Sequence, residues 1–177
     1  MSQTKKITLS AMMVALGTAT MIIGAFLEVF DLTICALVSM LVVFAFIEIG
    51  SYYPWLVWIC TSLAAGLLYP QSLMWAEYFL IFGIYPIIKA YIEKLPRWSW
   101  LIVKLAYVNA MIWGVAGICE FILHQTFPFF EEVDGEIFFV ILYVLMNVAF
   151  IAFDLFITVM VRFYFIKLRP RFKKFLK

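Results

Sequence analysis

Several groups of residues stand at spacings that suit chemistry. Asn109, Trp113, Glu120 and His124 follow one another at offsets of four, seven and four. On a helix of 3.6 residues per turn they share one face, and Gly117 on the same stripe leaves room beside Trp113. An amide, an indole, a carboxylate and an imidazole in one line make a set for binding a ligand. Trp75, Glu77 and Tyr78 form a second group, and Phe82 and Tyr85 continue the face of Tyr78. Aromatic rings around one carboxylate suit a planar or cationic ligand, through stacking and cation–π attraction. Tyr143 and Asn147 form a third group, with Asp154 one face-repeat further along. Each group also has a packing alternative. Trp113 can fill a helix contact, Glu120 can reach an interface with water, and Trp75 and Tyr78 can sit in an interfacial aromatic belt. Asp154 is read as a structural or coupling residue that pairs within a bundle or with a nearby base.

Other chemistries lack their residues. There is no GxxxxGK[ST] phosphate loop, no HExxH and no GxSxG. His124 is the single histidine. Glu131 and Glu132 are paired acids, but they fall in a connection with no histidines on later helices. The three cysteines, Cys35, Cys60 and Cys119, lie in apolar runs without paired spacing, so no disulfide framework or zinc site is indicated. The chain is therefore read as non-catalytic, with no cofactor and no metal.

The elements that must carry these groups are membrane helices. Of 177 residues, 67% are hydrophobic and 14% charged, with a mean hydropathy of +1.07. A soluble domain is about half apolar and a quarter charged. At roughly 20 residues per crossing, the length allows about six spans and no separate soluble domain. Charge-poor runs place them at 7–27, 32–50, 54–69, 73–92, 98–123 and 137–166. The runs are continuous rather than alternating, which indicates helices and not a β-barrel. The expected fold is an all-α integral membrane protein, one six-helix domain over 1–177. The first run is too long for the apolar stretch of a cleaved signal peptide and is kept as a span.

Orientation follows from the bases. Lys5, Lys6, Lys89, Lys94, Arg97, Lys104, Arg162 and the bases of the 167–177 tail fall on or near one side. Glu28, Asp31, Glu131, Glu132, Asp134 and Glu136 fall on the other. Both termini are thus expected in the cytoplasm. The net charge of +2 hides this separation. The basic tail anchors the topology beside the anionic leaflet, and no nucleic-acid role is expected. The polar and aromatic groups converge on the outer half. Glu28 and Asp31, in the first outer connection, could form a lid over them. The acid excess favours a cationic or polar aromatic small molecule.

On the first span, Ala11, Ala15 and Ala19 recur every fourth residue. Such a stripe of methyl groups lets another helix approach closely; ordinary packing within the chain is the alternative. With the six spans, this stripe resembles the substrate-binding S components of energy-coupling factor (ECF) transporters, whose first helix carries an AxxxA motif. The resemblance implies that Ala11, Ala15 and Ala19 dock on a transmembrane T component. It also implies vitamin or micronutrient capture near the outer face, with two partner ABC ATPases powering release. Tyr69-Pro70-Gln71-Ser72 followed by Glu77-Tyr78-Phe79-Leu80 is loosely similar to thiamine-type S components. That likeness implies ligand roles for Glu77, Tyr78, Trp113 and His124. The competing reading is a non-catalytic membrane scaffold of the cell envelope, resembling small MreD-like subunits. It needs the helices and the charge asymmetry but no pocket.

Overall fold

A computed structural model describes residues 2–27, 30–121 and 136–169. All regular structure among them is helical. The order is α1 (Gln3–Leu27), α2 (Asp31–Phe44) running into a π-helical turn (Ala45–Ile49), and α3 (Tyr53–Leu68). Then come α4 (Met74–Glu77) with a π-helical turn (Tyr78–Phe82), α5 (Tyr85–Ile92), α6 (Arg97–Phe121), and α7 (Glu136–Phe163) with a last π-helical turn (Tyr164–Leu168).

Among the described residues, four stretches are long and apolar enough to cross a membrane: Gln3–Leu27, Asp31–Ile49, Arg97–Phe121 and Tyr143–Lys167. The other two expected spans differ. α3 has 16 residues, about 24 Å at 1.5 Å per residue, against a hydrocarbon core of about 30 Å. The 73–92 run is not one helix. It breaks at Gly83 and Ile84, between the π-helical turn and α5.

The break has local causes. Pro86 stands in the first turn of α5 and has no N–H to give to the preceding turn. Gly83 N–H bonds the Tyr78 carbonyl at 2.7 Å, one residue beyond the α-helical partner. Side chains from other helices reach the carbonyls around the break. Trp58 Nε1 donates to the Phe79 carbonyl at 3.0 Å, with its ring stacked on Phe79. The Tyr107 hydroxyl donates to the Leu80 carbonyl at 2.5 Å. Irregular backbone at membrane depth persists only where protein groups satisfy it in this way. Tyr107→Phe keeps the ring beside Tyr85 and removes the donor. It is expected to cost about 1–3 kcal/mol, the cost of stranding a buried acceptor, read as a lower unfolding midpoint in detergent.

α1 shows how the remaining polar residues are accommodated. Ser10 and Thr20 return their hydroxyls to the carbonyls of Lys6 and Leu16, at 2.9 and 2.8 Å, so neither needs water. Met13, Gly17, Met21 and Gly24 face inward at helical spacing. A Cβ on Gly17 would already meet Thr61 of α3 and Val38 of α2, so the small residue sets the three-helix approach. α2 and its π-helical turn end at Gly50, whose φ of +65° suits glycine and turns the chain toward α3.

The ends of the bundle are identified by contacts. Lys6 lies over the Tyr53 ring at 5.9 Å. Arg169 Nε is 3.2 Å from Glu48 Oε1. The start of α1, the α2–α3 turn and the end of α7 therefore share one end. The α5–α6 turn joins them there, since Glu93 lines a cavity with Phe46, Ile47 and Phe165. At the other end, Phe26 of α1 packs on Tyr69 after α3, with ring centroids 5.6 Å apart. Lys5, Lys6, Lys94, Arg97, Lys167 and Arg169 all fall toward the end with both described termini.

Candidate functional site

The polar centre of the fold joins α5, α6 and α7. Lys89, on α5, and Lys104, on α6, are buried, only 5% and 8% exposed. Both point at Asp154 of α7. Lys89 Nζ donates to Asp154 Oδ1 in a short contact, to the Asp154 carbonyl at 2.6 Å and to Thr158 Oγ1 at 2.6 Å. Lys104 Nζ donates to Asp154 Oδ2 at 2.8 Å. Tyr85 donates its hydroxyl to Asp154 Oδ1 at 2.6 Å. Glu93 Oε1 lies 3.6 Å from Lys89 Nζ and 3.7 Å from Lys104 Nζ. The result is a four-membered ring of alternating charge, Lys89–Asp154–Lys104–Glu93, with no net charge. Desolvating such charges costs several kcal/mol per ion, which pairing offsets only when the remaining protons and lone pairs also bond. Lys89 meets that condition with three acceptors.

The ring was only half legible in the sequence. Asp154 reads as a pairing residue, and it pairs within the bundle. Lys89 and Lys104 read as cytoplasmic orientation charges; instead they point inward. The signal available was that each base interrupts an otherwise apolar run, as Asp154 does.

An apolar cavity of about 430 Å³, half open at the surface between α2 and α7, lies beside the ring. Its walls come from the first turns of α2 (Leu32, Leu37), the π-helical turn (Ile81, Phe82), α6 (Ile112) and α7 (Phe150, Phe153). Among the described residues, Thr33 supplies its one hydroxyl and no charged side chain lines it. The volume falls in the range of small-molecule sites. Phe82 meets Phe153 edge-on at 4.8 Å and Tyr85 meets Phe150 edge-on at 4.7 Å, which closes the cavity toward the ring.

The residues expected to bind a ligand are dispersed. Asn109 and Asn147 do meet: Asn147 Nδ2 donates to Asn109 Oδ1 at 3.2 Å and also to the Tyr143 carbonyl. Tyr143 is half-buried on the same stretch of α7. Trp113 is 59% exposed on the outside of α6, and Glu120 is exposed as well. Tyr78 is fully buried among α2 and α3 residues, close to Cys35 and Thr61, rather than in an interfacial belt. Glu77 is half-buried, with Asp31 as its charged neighbour and one buried carboxylate oxygen lacking a hydrogen bond among the described residues. Trp75 donates its indole N–H to the Pro70 carbonyl at 3.2 Å and so ties down the turn after α3. None of these side chains lines the apolar cavity. His124 and Glu28 lie outside the described residues, as do Glu131, Glu132, Asp134 and the end of the basic tail.

The alanine stripe is placed more sharply. Ala11, Ala15 and Ala19 are all exposed. With Cys60, Ala64 and Leu68 of α3 they border an open groove of about 580 Å³. No described helix of this chain covers them. Among the described residues, no three histidine, cysteine or acidic side chains gather as a metal site.

No protein-family model matches the chain, and neither does any curated protein or solved structure.

Proposed function

We propose that this chain is the substrate-binding S component of an ECF-type importer in a prokaryotic plasma membrane. In that reading all six helical rods cross the bilayer and both termini are cytoplasmic. The chain captures a vitamin or related micronutrient at the outer face. It then docks on a T component that works with two ABC ATPases. The observation that carries the reading is the uncovered methyl stripe of Ala11, Ala15 and Ala19. In lipid, helices associate through close backbone approach, and a methyl-lined groove between α1 and α3 offers it. The shared end of the two termini and the concentration of bases there agree with a cytoplasmic placement.

The test is purification of the tagged chain from native membranes in mild detergent. Recovery of one polytopic subunit with two ABC-type ATPases is the expected result. The double substitution Ala11→Trp, Ala15→Trp is expected to abolish that recovery. It should leave the chain monodisperse, because both side chains point away from the core. Undiminished ATPase recovery by the double variant counts against the reading.

The exposure of Trp113 and Glu120 favours one other reading, the cell-envelope scaffold, in which this stripe of α6 docks a partner helix. Recovery of envelope-synthesis proteins without ATPases would select it.

A further inference from the structure

A second cavity, of about 320 Å³, lies on the terminal side of the ring. Its walls include Val43 and Phe46 of α2 and its π-helical turn, Pro86 and Lys89 of α5, and Thr158 and Phe165 toward the end of α7. The two cavities follow the same elements in order. On α2 the first stops at Leu37 and the second starts at Val43. On the broken rod the first stops at Phe82 and the second starts at Pro86. On α7 the first stops at Phe156 and the second starts at Ile157. Neither includes Tyr85 or Asp154, whose side chains join α5 to α7 between them. On α2, the fully buried Val42 fills the same level.

The wall between the cavities is thus the ion ring and the Tyr85 hydrogen bond, packed about by the rings of Phe150 and Phe153 and by Val42. It stands next to a break in the helix that supplies half of it. α5 is short, is separated from the π-helical turn by Gly83 and Ile84, and carries Tyr85, Lys89 and Glu93 on or next to it. Its polar hold on α7 runs through Asp154 and Thr158, and the Tyr85 ring also packs on Phe150 and Phe153. We infer that α5 is a gate hinged at Gly83–Ile84, latched by the ring Lys89–Asp154–Lys104–Glu93, whose opening joins the two cavities into one passage along α2 and α7. Closed, every charge has an opposite neighbour; with Asp154 neutralised, the two buried ammonium groups share only the half-exposed Glu93 as a described acidic neighbour. A small apolar solute held in the first cavity would leave by the terminal end of the bundle. The inference does not depend on the docking partner.

The test is pulsed electron paramagnetic resonance on the purified full-length chain in lipid nanodiscs. Nitroxides go on Tyr91→Cys of α5 and Met160→Cys of α7, both exposed, in a Cys60→Ala background; Cys35 and Cys119 are buried. A control pair on Leu16→Cys and Leu63→Cys reports α1 against α3, which are also exposed sites. The parent is expected to give one distance for each pair. Asp154→Asn is expected to add a second 91–160 distance, longer by about 5 Å, close to one helical turn, and to leave the 16–63 distance unchanged. Glu93→Gln, at the half-exposed corner of the ring, should add the same component at a lower fraction and covers the case that Asp154→Asn does not fold. An unchanged 91–160 distance in the folded variants overturns the gate. Joint broadening of both pairs also overturns it, since the ring would then be a staple for the whole bundle.

Discussion

Asp154→Ala is expected to destabilise the chain by about 3–5 kcal/mol, the cost of breaking a buried ion pair from one side. The reason lies in what remains. Asp154 accepts from Lys89, Lys104 and Tyr85. Without it, two nearly buried ammonium groups keep only Glu93, at 3.6 and 3.7 Å, as an acidic neighbour. That carboxylate is 37% exposed, and solvent screens what it can offer. Chemical unfolding in a fixed detergent, following the tryptophan signal, measures the loss. The matching control removes the charges together: Asp154→Leu, Lys89→Leu and Lys104→Met. Apolar replacements of a buried ionic cluster are often neutral or stabilising, so this triple variant should recover most of the loss. Glu93→Gln alone should cost no more than about 1 kcal/mol. If Asp154→Ala matched Glu93→Gln, the ring would be water-filled, and its burial would have to be reinterpreted.

These expectations mark how far the sequence reaches. Charge-poor runs locate the rods within a few residues: 7–27 against Gln3–Leu27, and 98–123 against Arg97–Phe121. Hydropathy does this well because lipid demands satisfied backbone over a fixed thickness. It does not reveal what happens inside the 73–92 run. There the apolar average hides Gly83 and Pro86, which signal a break when read as backbone residues. Asn109 and Asn147 meet as two stripes on neighbouring helices. Trp113, on the stripe of Asn109, turns outward. A helical stripe fixes which residues travel together, but not which neighbour the stripe faces. In a soluble protein the apolar face identifies the core; here lipid and core are equally apolar, so that discrimination is lost. Lys89 and Lys104 were hidden by a related degeneracy: near a membrane end, a base can face the cytoplasm or an acid inside the bundle, and sequence distance from the span centre does not separate the two.

The backbone break yields the other large expected effect, at Gly83. A Cβ there would stand 2.6 Å from Trp58 Cδ1, 2.8 Å from the Tyr78 carbonyl oxygen and 2.9 Å from Tyr78 Cε1. None of these can yield cheaply. Trp58 is held by its hydrogen bond to the Phe79 carbonyl and by stacking on Phe79. The carbonyl belongs to the backbone and already accepts from Gly83 N–H. Tyr78 is fully buried. Gly83→Ala must therefore push the π-helical turn off Trp58 or tilt the indole out of its bond. Overpacking of this kind costs about 1–3 kcal/mol, and stranding the Phe79 carbonyl adds about 1–3 kcal/mol more where the bond is lost. Glycine substitutions on α6 separate this steric cause from helix propensity. Among the described residues, no atom lies within 4 Å of a Cβ added at Gly117, so Gly117→Ala should be neutral or gain up to about 1 kcal/mol. Gly114→Ala meets only the end of Leu80 at 3.1 Å, a flexible tip, and should fall between. Unfolding midpoints in one detergent should thus rank Gly117→Ala above Gly114→Ala, and both well above Gly83→Ala. A Gly83→Ala variant as stable as Gly117→Ala would mean that the approach of Trp58 to the break is loose. The tryptophan could then not be what holds the interrupted rod in shape, and the Tyr107 hydroxyl would be the principal group doing so.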